Sequence, residues 1–282
     1  MTHKLKFLNG ARAKNDGSSL RVRSRAARLR APVVSGLAAA GLLVSVSGCS
    51  TNPYTGETQF AAYDDAQLSQ ASAQAWQQLK AQTPTLNSGA QYQRVIRVWN
   101  RVAAATPKAG ESWDVQVFNS DDVNAFVMPG NRVGVYTGLL DLVENDDQLA
   151  AVLGHEAAHA IYRHANQRAT RQAAASTAVQ IGASALGGNE AIGASAQQIG
   201  ALGSAAANLG VVLPYSRNAE LEADLAGVDY MHRAGFDASA AIRLWEVMQT
   251  SGGQRTAEFL STHPNPDVRQ QRIREYIQQK GY

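Results

Sequence analysis

The five residues His155-Glu156-Ala157-Ala158-His159 constrain this chain more than any other stretch. On an α-helix, positions i and i+4 lie about 40° apart on one face, so both imidazoles can reach one metal ion. Glu156 lies between them, where its carboxylate can reach a water molecule rather than the metal. The turn before them is mostly apolar, and Asn145 is placed to cap a helix running from about Asp147 past Arg163. The pattern predicts a metal-binding helix.

A catalytic zinc site needs a third protein ligand and one open position. On a continuous helix, His164 would lie on the face opposite His155, so the spacing excludes it. The chain has no Asp or Glu between Glu156 and Glu190. The third ligand must therefore come from further along the sequence.

Glu220 is the better candidate for that ligand. A helix capped by Ser216 would place Glu220 and Asp224 on one face, four residues apart, while Glu222 points away as a surface or salt-bridge residue. Asp224 would then orient a ligand histidine. The alternative is a solvated acidic helix start, favoured by the helix dipole. The neighbouring metal-binding helix favours the ligand interpretation.

The rest of the chain predicts an α+β fold that is mostly helical. In this fold the metal-binding helix and the third-ligand helix pack beside a small antiparallel three-stranded sheet. Alternation with a period of two predicts its three strands. Apolar residues at helical spacing predict the remaining helices. The strands and helices are expected at about 113–118, 124–128 and 132–136, and at about 64–80, 90–105, 216–234, 238–250 and 266–279.

Residues 173–210 are rich in Ala, Gly and Ser. Three interpretations stay open for them. They could form tightly packed helices beside the active site, a mobile gating segment, or a membrane contact.

The basic residues are concentrated at the N-terminus. Residues 1–48 hold nine Lys and Arg against one Asp, whereas the remainder holds 17 basic and 22 acidic residues. The chain has a formal charge of +3 only because of the basic residues in 1–48. A nucleic-acid partner is therefore not expected for the rest of the chain. The uncharged stretch 31–48 follows the basic region, as in a secretory signal peptide.

Cys49 is the only cysteine of the chain and follows Val46-Ser47-Gly48. This arrangement resembles a bacterial lipobox, in which the thiol is lipidated and the chain is cut before the cysteine. The alternative is a plain secretory signal. Multiple acyl chains would anchor the protein stably to a membrane. Ser50 after the cysteine resembles the signal for outer-membrane sorting.

Three motifs together resemble a known peptidase family. They are the HExxH helix, the run Ser216-Arg-Asn-Ala-Glu-Leu-Glu-Ala-Asp224, and the preceding strand Asn124-Ala-Phe-Val-Met-Pro-Gly130. They are similar to the gluzincins related to HtpX and the CAAX prenyl endopeptidase. Asn52-Pro-Tyr-Thr-Gly56 and the lipobox resemble the periplasmic lipoprotein branch of that family, the BepA/LoiP-like proteases.

The resemblance implies one zinc ion per chain, bound by His155, His159 and Glu220. It also implies that His263, in Thr262-His263-Pro264, lies beside the zinc and either fills its open position or assists the oxyanion. A loop histidine before a turn is the alternative for His263. The implied organisation is a lipoprotein signal peptide at 1–48, a tether or ordered loop at 49–63 and a zinc metallopeptidase domain at 64–282.

The expected function is a zinc endopeptidase on the periplasmic side of a Gram-negative outer membrane, held there by the lipid. Glu156 would move the proton, and His263 or Arg217 would assist the oxyanion. Asn124, Ala125 and Phe126 would hold an extended substrate by strand addition, which suits unfolded or misassembled envelope proteins. A chaperone for outer-membrane proteins with a closed zinc site is the main alternative, and a peptidoglycan hydrolase is a weaker one. The sequence predicts no particular oligomeric state.

Overall fold

The computed structural model of the chain describes residues 48–185, 215–251, 259, 261–263 and 266–282. These residues form an α+β fold that is mostly helical, which confirms the predicted fold class. The signal peptide predicted at 1–48 lies almost entirely outside the described residues, and so does most of the Ala/Gly/Ser-rich stretch, from residue 186 onward.

Six of the eight helices in the described residues lie close to their predicted positions, whereas the helices at Thr137–Leu142 and His164–Ala185 were not predicted. The predicted caps at Asn145 and Ser216 each accept a hydrogen bond from a backbone N–H in the first turn of their helix, and Asp64 caps the first helix in the same way. The helices are α1 (Asp65–Gln82), α2 (Ala90–Ala104), α3 (Thr137–Leu142), α4 (Asp146–Ile161), α5 (His164–Ala185), α6 (Arg217–Arg233), α7 (Ala240–Ser251) and α8 (Pro266–Lys280).

The strands form two small sheets. A two-stranded antiparallel sheet joins β1 (Cys49–Thr51) to β2 (Thr58–Phe60). The main sheet has four strands in the order β3-β4-β6-β5. Its strands are β3 (Thr85–Leu86), β4 (Asp114–Phe118), β5 (Ala125–Met128) and β6 (Arg132–Tyr136).

The predicted three-stranded antiparallel sheet needs a correction. The short strand β3 adds a fourth member, and β4 pairs with β6 in the parallel direction. The turn at Gly130 and Asn131 does make β5 and β6 an antiparallel hairpin, since both residues have positive φ, of 84° and 58°. However, the chain crosses from β4 to the far edge before this hairpin, so β6 returns between β4 and β5. Alternation of residues does not reveal that order.

Helix α4 is the centre of the domain. It contacts α2, α6, α7 and β5, and nearly all of its residues are buried. At its crossing with α6 the two backbones touch, because a Cβ atom on Gly154 would lie 2.7 Å from the carbonyl oxygen of Gly227. Two glycines therefore set the distance between the two helices that carry the predicted ligands. No helix in the described ranges has both the length and the apolar character needed to cross a bilayer.

Helix α4 ends at Ile161 and does not continue past Arg163 as predicted. Arg163 takes a left-handed backbone conformation, with φ of 56°, and α5 begins directly after it. The guanidinium of Arg163 donates to the Asp65 carboxylate, from Nη2 at 2.9 Å, and to the Ser50 hydroxyl at 3.0 Å. These bonds hold a conformation that is unfavourable for a residue with a Cβ atom.

Residues 49–63, expected as a tether or an ordered loop, are ordered and pack on the end of α4. Asn52 is fully buried, and its side-chain amide donates to the carbonyl oxygen of Ile161 at 2.8 Å. The Asn52 side-chain oxygen accepts from the backbone N–H of Tyr54 at 2.8 Å. The β1–β2 hairpin is therefore attached to the helix that carries the HExxH residues.

Candidate metal centre

Helix α4 presents its two histidines to one point, as their spacing predicts. The Nε2 atoms of His155 and His159 lie 2.9 Å apart, and both side chains are buried. Glu156 is also buried, with 1% of its surface exposed. Its carboxylate accepts a hydrogen bond from the backbone N–H of Val127 in β5, so the sheet positions it.

Helix α6 brings Glu220 to the same point. Glu220 Oε2 lies 3.5 Å from His155 Nε2, and Glu220 Oε1 lies 3.5 Å from His159 Nε2. One turn further along α6, Asp224 Oδ1 lies 2.9 Å from Nδ1 of His155. The structure thus places Asp224 behind a predicted ligand histidine, where it can fix the orientation of that ring.

His263 joins this group from the far end of the sequence. Its Nδ1 lies 3.1 Å from Glu220 Oε2 and 3.3 Å from His155 Nε2. Its Nε2 lies 3.7 Å from Glu156 Oε1. One potential ligand atom from each of His155, His159, Glu220 and His263 lies within 4.8 Å of the others.

The donor set fits zinc. Two imidazoles and a carboxylate are the ligands that zinc prefers, and bonds of about 2.0–2.1 Å at tetrahedral angles separate ligand atoms by about 3.3 Å. The spacings of 2.9–3.5 Å among the donors bracket that value. Within the described part of the chain, Glu220 Oε1 is also a fully buried oxygen without a hydrogen-bond donor. A buried carboxylate oxygen in this state needs a positive partner, and a metal ion would supply one.

Arg269 contacts this group of residues but was not among the predicted site residues. It is 2% exposed and forms two hydrogen bonds of 2.6 Å to Asp224 and an ion pair of 2.7 Å to Glu220. It also donates to the carbonyl oxygen of His263 at 3.1 Å. Helix α8 is polar on most of its surface, so no pattern distinguished Arg269 from the other basic residues of that helix.

The electrostatics of the group follow from burial and these partners. Burial alone would raise the pKa of Glu220, but His263 and Arg269 outweigh it and hold that pKa well below its usual range. Burial raises the pKa of Glu156. The pKa of His159 is well below its usual range because the ring is buried and lies beside His155. For His155, hydrogen bonds to Asp224 and Glu220 outweigh burial and raise the pKa to about 9. Only one of the two rings thus readily takes up an extra proton.

His164 lies outside the group of potential ligands but touches it. The bend at Arg163 turns His164 back, so its Nδ1 lies 2.8 Å from Nδ1 of His159. Its Nε2 lies 2.8 Å from Glu222 Oε2. The prediction that His164 lies on the opposite face of a continuous helix is wrong, because α4 ends at Ile161 and the backbone bends at Arg163. Glu222, expected to point away as a surface or salt-bridge residue, is partly exposed and accepts a hydrogen bond from the His164 ring.

The other predicted site residues lie at different distances from the centre. Arg217, which was expected to assist the oxyanion, is exposed on the first turn of α6. The buried cation beside the potential ligands is Arg269 instead. Asn124 and Ala125 are buried where β5 begins. The ring of Phe126 packs against Phe118 and Tyr136, so only its backbone is available to a substrate.

Strand β5 is nevertheless suited to strand addition. It lies at the edge of the main sheet beside α4. A cavity of about 290 Å³ continues from this edge toward the end of α4. Its lining includes Val127, Met128, His159 and Arg163. A peptide bound along β5 would therefore reach both the buried group and this cavity.

Comparison with known proteins identifies the family. The sequence pattern of peptidase family M48 matches residues 89–277, which include His155, His159, Glu220 and His263. The chain belongs to this family. M48 peptidases are zinc-dependent metallopeptidases, in agreement with the donor set described above.

Several relatives carry the name of a protease. The mitochondrial metalloendopeptidase OMA1 of Schizosaccharomyces pombe is 36% identical over 185 residues, which are 65% of this chain and 52% of that protein. The metalloprotease LoiP of Escherichia coli is 28% identical over 231 residues, covering 80% of this chain and 88% of LoiP. The E. coli β-barrel assembly-enhancing protease is 29% identical over 196 residues, 68% of this chain and 40% of that protein. The chain spans between about a third and a half of the length of the OMA1 relatives.

Proposed function

We propose that this chain is a zinc metalloendopeptidase, anchored by lipid to the periplasmic face of an outer membrane, that cleaves unfolded or misassembled envelope proteins. One observation carries the peptidase part. The imidazoles of His155 and His159 and the carboxylate of Glu220 converge within 3.5 Å, with the buried Glu156 beside them. His155, His159 and Glu220 are the proposed zinc ligands.

The proposed reaction uses zinc as a Lewis acid and Glu156 as a general base. Zinc, when bound, supplies a Lewis acid that acidifies water and polarises a carbonyl group. Glu156 is the proposed general base that takes a proton from the attacking water and returns it to the leaving nitrogen. Its raised pKa suits both steps, because the carboxylate gains a proton readily and the acid form persists nearer neutral pH.

The proposed substrate contact is the edge of β5 that no other strand of the described residues covers. A peptide added there would be recognised mainly through its backbone, with little dependence on side-chain sequence. The N–H of Val127 on this strand already bonds Glu156, so the scissile bond of an added peptide would come close to the proposed base. Unfolded proteins offer such extended segments, whereas folded ones do not.

The proposed location rests on the N-terminal sequence and on the bacterial relatives. Cys49 follows a lipobox-like sequence and is exposed at the start of β1. LoiP and the β-barrel assembly-enhancing protease, which the chain resembles, are bacterial proteins, and the second is named for the assembly of β-barrels. These similarities support an envelope location and envelope substrates for this chain.

The decisive test compares the unchanged protein with Glu156→Gln. The purified full-length protein should cleave unfolded casein, and a chelator should abolish the activity until zinc is restored. Glu156→Gln should retain zinc but lose at least about 10²-fold in turnover, the contribution typical of a general base. The matched control is Glu275→Gln, a change of an exposed glutamate on α8, which should leave turnover unchanged. Full activity in Glu156→Gln would refute the proposed mechanism.

One observation favours a second candidate, a chaperone for outer-membrane proteins. His263 Nδ1 lies within 3.3 Å of both His155 and Glu220, so it crowds the donors and suits a closed site. Complementation of a deletion strain separates the two functions. Glu156→Gln should restore growth if the chaperone role dominates and should fail to restore it if proteolysis is the function.

A further inference from the structure

The two proposed histidine ligands are supported in different ways. His155 reaches a carboxylate directly, because its Nδ1 lies 2.9 Å from Asp224 Oδ1. The Nδ1 of His159 instead meets a second imidazole, that of His164, at 2.8 Å. Beyond it, His164 Nε2 lies 2.8 Å from Glu222 Oε2. A chain of two hydrogen bonds thus leads from His159 to a partly exposed carboxylate.

The positions of the protons along these two hydrogen bonds follow if His159 binds the zinc through Nε2. His159 directs Nε2 at the donor group, so that nitrogen must keep its lone pair free and the ring proton lies on Nδ1. Only one of two facing nitrogens can donate, and His164 Nδ1 is therefore the acceptor. The proton of neutral His164 is then on Nε2, from which it donates to Glu222. His159 Nδ1 and both nitrogens of His164 thus each have one partner and one direction.

We infer that His164 and Glu222 are positioning residues for His159. Glu222 acts through His164 to hold His159 in the tautomer that frees Nε2, and it makes that nitrogen a stronger donor to a metal. This inference rests on the zinc site of the proposed function. It gives Glu222 the same task for His159 that Asp224 has for His155, with one imidazole in between.

The surroundings hold the two rings in place. Tyr215 stacks on His159, with ring centroids 4.0 Å apart and planes inclined by 20°. Tyr162 stacks on His164 at 5.8 Å and 29°. His159 and His164 are each 1% exposed, so an unbonded ring nitrogen at either residue would be costly. If residue 164 served only to fill space, an apolar ring would do so equally well. A role in packing alone would not require hydrogen bonds to both nitrogens of His164.

The first experiment changes Glu222, the partly exposed end of the two hydrogen bonds. Full-length protein is stripped of zinc, and its zinc dissociation constant is measured by competition with a chromophoric chelator. We expect Glu222→Ala to weaken zinc binding about 10-fold, which is the lower end of the effect of losing an outer-shell partner. Glu222→Gln should weaken it less, because its amide oxygen still accepts from His164. The matched control is Glu246→Ala, which removes an exposed glutamate paired with Arg274 and should not change zinc affinity.

The second experiment separates positioning from packing at residue 164. His164→Phe keeps a ring but removes both nitrogens, and we expect zinc binding to weaken by about 10- to 100-fold. His164→Asn places an amide oxygen near the position of Nδ1, so it should recover part of the affinity. The thermal unfolding midpoint of the zinc-stripped proteins is measured alongside. A role in packing alone would lower this midpoint and leave zinc affinity unchanged.

The outcomes distinguish this inference from the proposed function. If the unchanged protein binds zinc and cleaves casein while Glu222→Ala binds zinc equally well, the positioning role is refuted and the proposed function stands. If the unchanged protein binds no zinc, both are refuted. Should His164→Phe fail to fold, the comparison of Glu222→Ala, Glu222→Gln and the Glu246 control decides the question alone.

Discussion

Arg269 and Asp224 form a buried ion pair with two parallel hydrogen bonds of 2.6 Å, directly behind His155. The pair lies where the last helix, α8, meets the third-ligand helix, α6. Arg269 also contacts Glu220 at 2.7 Å, so one guanidinium balances two buried carboxylates. Burial would raise the pKa of Asp224, but Arg269 outweighs it and lowers that pKa.

Replacing this arginine should strongly destabilise the fold. Arg269→Met removes the cation and leaves the Asp224 and Glu220 carboxylates uncompensated, so we expect the free energy of unfolding to fall by about 3–5 kcal/mol. Arg269→Lys keeps the charge but loses the two-bond geometry, and its loss should be smaller. Urea unfolding of the zinc-stripped proteins measures both. Equal stability of Arg269→Met and the unchanged protein would contradict a structural role for the pair.

His263→Ala tests whether the fourth donor restrains the enzyme. We expect the variant to keep zinc, because His155, His159 and Glu220 remain, and to cleave unfolded casein faster, because an imidazole no longer competes for the fourth position. Zinc content and casein turnover are measured together. A fall of about 10²-fold would instead identify His263 as an oxyanion donor. Unchanged turnover would identify it as a loop residue only.

Gly227→Ala tests the contact between α4 and α6. In an unconstrained helix this change would stabilise by up to about 1 kcal/mol. Here the new Cβ atom would lie 2.8 Å from the backbone nitrogen of His155. We therefore expect the opposite sign, a destabilisation of about 1–3 kcal/mol in urea unfolding, together with weaker zinc binding. A more stable variant would show that the helices can separate without cost.

Cys49→Ser tests the proposed anchor. The variant should appear in the soluble periplasmic fraction or remain uncleaved, since serine has no thiol to accept a lipid. Fractionation of cells expressing either form, followed by immunoblotting, gives the answer. Normal processing and membrane retention of Cys49→Ser would contradict lipidation at this residue.

The sequence predicted which donor residues share a helix face because local geometry determines that arrangement, whereas the meeting of the two faces depends on how α6 packs on α4. Two pairs at i and i+4, His155 with His159 and Glu220 with Asp224, each occupy one helix face whatever the tertiary fold. The contribution of Arg269 depends on how α8 docks, which no local spacing encodes. The bend at Arg163 was equally invisible, because an arginine gives no signal for a left-handed backbone.

The order of the strands could not be read from the sequence for a related reason. Alternation identifies residues that face one side of a sheet, but it does not specify which strand lies next to which. The predicted antiparallel pairing is correct for β5 and β6, which the turn at Gly130 and Asn131 joins. The parallel pairing of β4 with β6 results from the crossing between residues 118 and 125, where the sequence shows only a polar loop.

The bond between Asn52 and Ile161 determines how far the catalytic helix could stand from a membrane. With an anchor at Cys49, only two residues, Ser50 and Thr51, lie between the lipidated residue and Asn52, whose side chain holds the end of α4. The three Cα–Cα steps from Cys49 to Asn52 span about 10 Å when extended. Such an enzyme would have almost no flexible linker between the lipid and the catalytic helix. It would work at a fixed height and would act on protein segments that come to it near the bilayer surface, rather than reaching out across the periplasm.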